Sequence, residues 1–338
     1  MKMQVLLFYV YHSLGEQAEE ETSIQRELCL KLELVGRVRV ASEGINGTLY
    51  GSREQLESYM KQTQDTLKRN DIDWKMSQAS SAEPEFETLI VKHVKELVSM
   101  NRALEYSKEA TATHLTPFEF HDKCLKGNVA IIDVRNTYEY AIGHFKNAID
   151  PETRQFSDFE QWFKTKGVHM VQDNQDLLLY CTGGIRCEKA SIVVKQCIKN
   201  VNVFQLQGGI HRYMEAIKND SQFLGQNFVF DKRRTQPQCI SSQVIGTCIT
   251  CDQPWELYHD SRRCHKCRIL VLVCDGCIQQ EARTFCKAHC LLNPHADKTE
   301  ISKQLESIQI KIKNSKPRSS ARRRLNKQHR ELGLHFLT

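Results

Sequence analysis

Apolar and polar positions along the first hundred residues follow patterns that predict a small mixed sheet. The predicted strands cover residues 5–11, 37–40 with a continuation through 47–50, 73–76 and 88–94. Helical spacing of apolar residues predicts two helices, over residues 19–34 and 53–67. This order of elements predicts a ferredoxin-like α+β domain over residues 1–100. The polar stretch over residues 101–114 then predicts a linker.

Continuous apolar runs predict a second domain of a different kind, over residues 115–224. Runs at 131–134, 177–180 and 203–206 are typical of strands that are buried on both faces, and helical stretches separate them. Strands that alternate with helices predict an α/β domain with a parallel sheet, and such sheets place sites at the carboxyl ends of their strands. Asp133 and Arg135 fall at the end of the first run, and Cys181 follows the second.

Cys181 lies where a buried strand ends and a helix, predicted from Glu188 onward, begins. The residues between them are Thr182, Gly183, Gly184, Ile185, Arg186 and Cys187. The two glycines let the backbone curl, so that several N–H groups can point at one sulfur. These groups and the positive end of the helix favour an anion, which predicts an ionised and nucleophilic thiol at Cys181. A buried cysteine in an ordinary strand–helix turn is the alternative interpretation.

The length of this loop argues against a cysteine phosphatase. Such an enzyme needs a wider loop around a tetrahedral phosphoryl group, with its arginine six positions after the cysteine. Here the sixth position is Cys187, and Arg186 comes one residue too early. We therefore expect a loop that holds a terminal sulfur atom. Cys187 is then either a packing residue at the start of the helix or a second thiol that displaces sulfide from Cys181.

Three segments occur in an order along the chain that resembles one family. They are Ser-Glu-Gly-Ile-Asn-Gly-Thr at 42–48, Cys-Thr-Gly-Gly-Ile-Arg-Cys-Glu at 181–188 and Gly-Gln-Asn-Phe-Val-Phe-Asp at 225–231. The second domain resembles a rhodanese (sulfurtransferase) domain, and the whole set is similar to the tRNA uridine(34) hydroxylase family. The segments at 204–211 and 253–255 are closer to eukaryotic relatives, the thiosulfate sulfurtransferase/rhodanese-like domain-containing proteins.

The resemblance implies a tRNA-modifying enzyme that adds an oxygen at C5 of the wobble uridine. It implies that Cys181 can carry a persulfide and that Asp133 and Arg135 brace the site, with Arg186 as a further catalytic candidate. Taken singly, Asp133 and Arg135 predict a structural ion pair. The alternative function is a sulfurtransferase, and a second alternative is a non-catalytic adaptor that binds RNA or a protein. The expected partners are tRNA and, for sulfur transfer, a sulfur donor.

Four pairs of cysteines follow the second domain, within a segment over residues 225–297. They are Cys248 and Cys251, Cys264 and Cys267, Cys274 and Cys277, and Cys286 and Cys290. Two cysteines close together on a turn can direct both sulfurs at one tetrahedral ion, so eight thiolates predict two structural Zn²⁺ ions. Sequential, interleaved and nested pairings all fit, and His265 or His289 could replace a cysteine. Four disulfides and an iron–sulfur cluster are the alternatives.

The sequence carries no signature of a redox cofactor. It has no Gly-x-Gly-x-x-Gly fingerprint and no plausible set of two histidines and one carboxylate. We therefore expect neither a flavin nor a nicotinamide cofactor, and zinc itself has no redox chemistry.

Composition is that of an ordinary globular protein. The 338 residues are 40% hydrophobic, which allows two or three compact units. No run approaches the roughly 20 apolar residues that span a bilayer, and the apolar residues 5–11 predict a strand and not a secretory signal. Fourteen cysteines then indicate thiol and metal chemistry in a reducing compartment, so we expect a cytoplasmic protein without membrane association.

Positive charge is concentrated in the last segment, residues 298–338. Residues 303–330 hold ten lysines and arginines and one acid, a net charge of +9, whereas the whole chain carries +6. This basic tail predicts disorder in the free protein. It is either an arm that binds RNA phosphates or a solvated tail that could direct nuclear import. The candidate RNA-binding residues are Arg318, Arg322, Arg323, Arg324 and Lys327.

Overall fold

The computed structural model describes residues 3–79, 86–100, 106–172, 175–235 and 243–279, together with isolated residues from 284 onward. The chain divides into two compact units, Met1–Ser242 and Gln243–Thr338. The first unit contains two larger sheets, one in the N-terminal domain and one in the domain that carries Cys181. Among the described residues, no helix combines the length and the apolar character needed to cross a membrane.

The N-terminal domain is a five-stranded sheet with two helices. Its strands are β1 (Met3–Tyr11), β2 (Val35–Ala41), β3 (Gly44–Ser52), β4 (Lys75–Gln78) and β5 (Leu89–His93), and its helices are α1 (Ala18–Lys31) and α2 (Arg53–Leu67). The strand order is β4-β1-β3-β2-β5, with β5 parallel to β2 and the other pairs antiparallel. The first four strands have the order of a ferredoxin-like sheet, so the predicted class of this domain is confirmed.

The predicted continuation of one strand through residues 47–50 is wrong, because the chain reverses direction at Ser42 and Glu43. Ala41 lies opposite Gly44, so β2 and β3 form a tight hairpin. Gly44 has a φ of 140°, and a Cβ at this position would lie 2.0 Å from the carbonyl oxygen of Val10 on β1. The glycine is therefore required by the close approach of β3 to β1.

Only one face of this sheet is covered by its own helices. Alternate residues of β1, such as Leu6, Phe8 and Val10, belong to the core beneath α1 and α2. The intervening residues point to the opposite face, since successive side chains of a strand alternate between faces. We call this the open face, and it contacts the loop that follows Cys181.

The second domain has a parallel sheet with helices on both sides. Its elements are β6 (Thr113–Leu115), α3 (Pro117–Lys126), β7 (Val129–Asp133), α4 (Thr137–Tyr140), β8 (Gly143–Phe145), α5 (Phe159–Thr165), β9 (Asp176–Tyr180), α6 (Ile185–Cys197), β10 (Val203–Leu206), α7 (Gly209–Ala216) and β11 (Phe223–Gly225). The strand order is β6-β10-β9-β7, with all pairs parallel, and β8 pairs with β11 beside this sheet. Helices α5 and α6 cover one face, and α3 and α7 cover the other. The predicted parallel α/β sheet is confirmed.

Helix α6 begins three residues before the position predicted from the sequence. Gly184 precedes its first residue with a φ of 103°, so the chain turns sharply there, and the N–H of Cys187 donates to the carbonyl oxygen of Gly184 at 3.0 Å. As a result Ile185, Arg186 and Cys187 lie in the first turn of the helix and not in the loop.

Residues 225–235, which the sequence analysis grouped with the cysteine pairs, lie in the first unit. Asp231 forms a buried ion pair with Arg233 at 2.6 Å, and Arg233 donates to the hydroxyl of Ser77 on β4 at 3.0 Å. The ring of Phe230 lies 5.7 Å from the guanidinium carbon of Arg186. The third motif therefore folds against both domains of the first unit.

Candidate active site

The sulfur of Cys181 lies at the carboxyl end of β9, where the sequence placed it. Its side chain has 0% exposure. The N–H of Gly184 donates to Cys181 Sγ at 3.1 Å. The N–H groups of Ile210 and His211, in the first turn of α7, bond to the carbonyl oxygens of Cys181 and Thr182 at 3.0 and 3.1 Å. The loop is thus fixed from two sides, with its amide donors directed at the sulfur.

The surroundings of Cys181 favour a thiolate despite its burial. Burial alone raises the pKa of Cys181, but the Cys187 thiol, the charge of Arg186 and the amides of Arg186 and Cys187 lower it from 9.0 to about 6. Burial, together with the hydrogen bond that it donates to Cys181, raises the pKa of Cys187 well above its ordinary value. One thiol is therefore ionised at neutral pH while its neighbour keeps its proton.

Arg186 is held by a carboxylate that was not a candidate in the sequence analysis. Its Nη1 and Nη2 lie 2.6 and 2.8 Å from the two oxygens of Glu139, which is wholly buried on α4. The hydroxyl of Thr182 donates to Glu139 at 3.2 Å and accepts from Arg186 at 3.1 Å. Burial opposes ionisation of Glu139, but Arg186 lowers the pKa of this carboxyl below its ordinary value. The bidentate pair fixes the positive charge beside Cys181.

Asp133 and Arg135 form a buried ion pair with each other. Arg135 Nη2 lies 2.7 Å from Asp133 Oδ2, and a further N–H, on Nε, donates to Asp133 Oδ1 at 2.9 Å. Arg135 Nη2 also donates to the carbonyl oxygen of Gly143, and the hydroxyl of Tyr180 donates to Asp133 at 2.7 Å. These contacts join the ends of β7, β8 and β9. The two residues therefore connect the strand that carries Cys181 to its neighbours.

The open face of the N-terminal sheet lies against the Cys181 loop. A Cβ on Gly183 would lie 3.2 Å from Leu7 on β1, and a Cβ on Gly184 would lie 2.8 Å from the hydroxyl oxygen of Tyr9. Tyr9 also donates to Glu188 Oε1 at 3.0 Å. Tyr9 could not be recognised as a site residue from the sequence, because nothing in the pattern of β1 shows which of its two faces meets a distant loop.

Two buried lysines join the domains near this site. Lys189 Nζ, on α6, lies 2.9 Å from both Glu43 and Glu96 of the N-terminal domain. Lys75 Nζ, on β4, lies 2.8 Å from Asp73, and Asp73 accepts from Arg212 of α7 at 2.7 Å.

Glu43 lies in the first of the three motifs, residues 42–48. The sequence allows two interpretations of that motif, a loop facing the site or a turn that needs glycine. Glu43 contacts Lys189 of the second domain, and Gly44 adopts the positive φ that favours glycine at the turn.

The cysteine pairs in the second unit form two clusters, and the pairing is interleaved. Cys248, Cys251, Cys274 and Cys277 have sulfurs within 4.8 Å of one another, and so do Cys264, Cys267 and Cys286. The first pair thus joins the third, and the second pair joins Cys286 of the fourth. Cys290 and His289 lie outside the described residues, as do Arg318, Arg322, Arg323, Arg324 and Lys327 of the basic tail.

Each cluster has the features of a metal site. Cys251 and Cys274 have sulfurs 3.6 Å apart, and Cys267 and Cys286 have sulfurs 3.5 Å apart. Tetrahedral coordination with metal–sulfur bonds of about 2.3 Å requires a similar separation. The N–H of Cys274 points at Cys248 Sγ, 3.3 Å away, as expected for a thiolate acceptor. His265 Nδ1 instead accepts the N–H of Thr284 at 3.2 Å. Both clusters can hold a metal ion, and in the first cluster Cys274 directly precedes helix α8 (Asp275–Ile278), which contains Cys277.

Comparison with known sequences places the chain among rhodanese-like proteins. The profile of the UPF0176 acylphosphatase like domain matches residues 3–97, that of the Rhodanese-like domain matches residues 116–216, and that of the Rhodanase C-terminal matches residues 224–291. The parallel sheet with Cys181 at a strand end therefore belongs to a rhodanese-like domain.

Comparison with individual relatives identifies the family of the chain within the rhodanese-like proteins. The tRNA uridine(34) hydroxylase of Chlamydia pneumoniae is 30% identical over 306 residues, which are 89% of this chain and 92% of that protein. That of Staphylococcus saprophyticus is 30% identical over 93% of this chain and 100% of its own length. Rhodanese-like domain-containing protein 6 of Arabidopsis thaliana is 34% identical over 81% of this chain, which spans about half (50%) of that protein. The chain belongs to the tRNA uridine(34) hydroxylase family, as its three motifs predicted.

Proposed function

We propose that the protein is a tRNA-modifying enzyme that adds an oxygen at C5 of the wobble uridine and uses Cys181 as its nucleophile. The observation that carries this proposal is the position of the Cys181 sulfur, which is buried at the carboxyl end of β9 and accepts the N–H of Gly184 at 3.1 Å, in surroundings that lower its pKa. A thiolate, not a thiol, is the nucleophilic form of cysteine. Membership of the tRNA uridine(34) hydroxylase family supports the choice of substrate.

In the proposed reaction, the Cys181 thiolate adds to C6 of the uracil ring. The addition makes C5 electron-rich, so that C5 attacks the terminal oxygen of a peroxide-class donor, whose O–O bond breaks as the other oxygen leaves with the electron pair. The adduct then loses the C5 proton to that leaving oxygen anion and releases the thiolate by cleavage of the C6–S bond. Such covalent activation divides one difficult step into easier ones. Arg186, fixed by Glu139 and Thr182, keeps the sulfur anionic before addition and after release. Asp133 and Arg135 act as positioning residues at the strand end.

The test is nucleoside analysis of tRNA from a strain that lacks the gene. We expect 5-hydroxyuridine derivatives to disappear, to return with the wild-type gene, and to stay absent with Cys181→Ser. Cys124→Ser is the matched control, because Cys124 is a free, half-buried thiol on α3. A Cys181→Ser protein that restores hydroxylation at the wild-type level would contradict the proposal.

Sulfur transfer is the second candidate function, and it is favoured by the size of the Cys181 loop. One amide, that of Gly184, already reaches the sulfur, and the loop between β9 and α6 holds only four residues, Cys181, Thr182, Gly183 and Gly184. Such a loop suits a terminal sulfur on Cys181. Loss of thionucleosides, with hydroxylated nucleosides unchanged, would support this function instead. Mass spectrometry after loading with thiosulfate would then show an extra sulfur on Cys181.

We also propose that the two cysteine clusters bind structural zinc. Four thiolates leave no ligand position open, so such an ion would stabilise the fold and not take part in the reaction. Cys248, Cys251, Cys274 and Cys277 would hold one ion, and Cys264, Cys267 and Cys286 would hold the second together with Cys290. The domain boundaries, the cytoplasmic location, nuclear import and the role of the basic tail stay predictions.

A further inference from the structure

The open face of the N-terminal sheet carries a row of aligned polar residues that starts at the Cys181 loop. Tyr9 on β1 is the register partner of Asn46 on β3, Asn46 is the partner of Arg39 on β2, and Arg39 is the partner of Lys92 on β5. Partners on neighbouring strands lie side by side on the same face, about 5 Å apart. The row therefore leads from the tyrosine beside Gly184 to the edge of the sheet.

Exposure increases along this row. Tyr9 packs against the Cys181 loop, Asn46 is half-buried, and Arg39 and Lys92 are exposed. The neighbouring row of the same face contains Thr48, half-buried, and Arg37, exposed, whose guanidinium carbon lies 5.9 Å from the ring of Phe86. The loop thus covers one part of the open face and leaves the adjoining part accessible.

This accessible part is positively charged. Within the described part of the chain, no acidic residue pairs with Arg37, Arg39 or Lys92. Of the described acids that flank these strands in the sequence, Glu43 and Glu96 are bound by Lys189, Glu87 lies 3.3 Å from Lys232, and Glu33 is exposed just before β2. The three cations are therefore available to an anionic partner, with two of them on one strand about 7 Å apart.

We propose that this basic strip, formed by Arg37, Arg39 and Lys92 with Asn46 and Thr48, binds the phosphate backbone of the RNA next to the base that reaches Cys181. The proposal rests on the proposed function, since it assigns a position to the RNA substrate. Sheet faces are common platforms for single-stranded RNA. None of the described residues of the strip is an exposed aromatic side chain, so the strip contacts phosphates and not bases. Its contribution to the free energy of RNA binding is therefore independent of base sequence.

The test is the salt dependence of binding to a fluorescently labelled tRNA, measured by anisotropy with the full chain. We expect the double variant Arg39→Ala/Lys92→Ala to bind about tenfold more weakly near 0.1 M salt. We also expect the negative slope of log K against log salt to become shallower by about 1.4, since each phosphate contact on a single strand contributes about 0.7 to its magnitude. The matched control is Lys31→Ala/Lys61→Ala, two exposed lysines on the helices of the opposite face. Thermal unfolding checks that each variant is folded.

The possible negative results of this experiment distinguish failure of the proposed RNA site from failure of the proposed function. If Arg39→Ala/Lys92→Ala binds tRNA as the wild type does, or if the control loses as much affinity, the strip is not the RNA site. If the wild-type protein binds no tRNA, the strip and the proposed function fail together. If the variant keeps its RNA affinity but is retained less by immobilised poly-glutamate, the strip belongs to an acidic protein partner and the proposal is overturned.

Discussion

At the scale of single residues, the chemistry depends on how Cys181 remains ionised without solvent. A buried anion is normally unfavourable, and here donors from one short segment compensate: the amide of Gly184, the thiol of Cys187 and the charge of Arg186. The sequence predicted the amides and the helix terminus from the two glycines between strand and helix. It could not predict the thiol–thiolate hydrogen bond, because that depends on helix α6 beginning early enough to turn Cys187 back toward Cys181.

Removal of the Cys187 thiol is expected to raise the pKa of Cys181. In the wild type, Cys181 reacts as a thiolate above a pKa of about 6 and loses reactivity as the pH falls below it. In Cys187→Ala the midpoint should move up by about one pH unit, since a hydrogen bond to a charged group contributes about 1.5 kcal/mol. The measurement is the pH dependence of alkylation of the Cys181 peptide, followed by mass spectrometry.

Cys197→Ala is the control for this experiment, since it removes a half-buried thiol from the last turn of the same helix. An unchanged midpoint in Cys187→Ala would show that the amides and Arg186 hold the thiolate without the second thiol.

At the scale of elements, two short helices fix the loop. Helix α4 supplies Glu139, and the first turn of α6 supplies Arg186, so their ion pair joins segments 47 positions apart. The sequence marked Arg186 as a candidate but not Glu139, because spacing along a chain says nothing about which buried charges meet. By contrast, the pair of Asp133 and Arg135 was predicted, since both lie at the end of the same strand.

Loss of Glu139 should be strongly destabilising. Glu139→Ala leaves the charge of Arg186 buried without its partner, and removal of one member of a buried pair costs about 3–5 kcal/mol. Chemical denaturation measures the free energy of unfolding. Glu57→Ala removes the same kind of side chain from an exposed pair with Arg53, whose members are 48% and 69% exposed, and should cost less than about 1 kcal/mol. Equal effects of the two substitutions would mean that Arg186 finds another partner or water.

Gly184 is expected to tolerate no side chain, for two separable reasons. Its φ of 103° strains any other residue, and a Cβ would lie 2.8 Å from the hydroxyl oxygen of Tyr9. Gly127→Ala, at a φ of 83° with no atom near its Cβ, isolates the backbone strain, about 1–3 kcal/mol. We expect Gly184→Ala to lose more free energy of unfolding than Gly127→Ala.

A double variant tests the contact with Tyr9. Addition of Tyr9→Phe to Gly184→Ala should recover part of the loss, because the nearest remaining ring atoms would lie 3.4 and 3.5 Å from the new Cβ. If Tyr9→Phe recovers nothing, backbone strain accounts for the whole effect.

At the scale of the whole molecule, each domain could be predicted from local patterns, but the contact between them could not. A short apolar run marks β1 as a strand, and further apolar runs mark the parallel sheet, so both folds follow from short stretches of sequence. The contact of Tyr9 with Glu188 joins residues 179 positions apart and depends on which sheet face remains free of helices. The four cysteine pairs were likewise recognisable, whereas their interleaved pairing depends on the fold of the whole segment.

The metal content of the chain tests that pairing. We expect elemental analysis to find about two zinc ions per chain, and Cys251→Ala/Cys274→Ala to remove one of them, because both residues belong to the same cluster. Cys124→Ala, outside the clusters, should keep both. Iron and sulfide in place of zinc would identify an iron–sulfur protein instead. Loss of both ions from the double variant would contradict two separate sites.

The packing of β1 against the Cys181 loop has a consequence for the oxidation of the protein. A low-pKa thiolate is ordinarily the first group that peroxide attacks, and oxidation beyond the sulfenic acid is largely irreversible. Here the side chain of Cys181 is wholly buried, and Leu7 and Tyr9 of β1 lie against the loop that follows it. During storage in air, burial should slow the oxidation of Cys181 relative to that of a solvent-exposed thiolate with the same pKa, so this sulfur would survive longer than its pKa alone predicts.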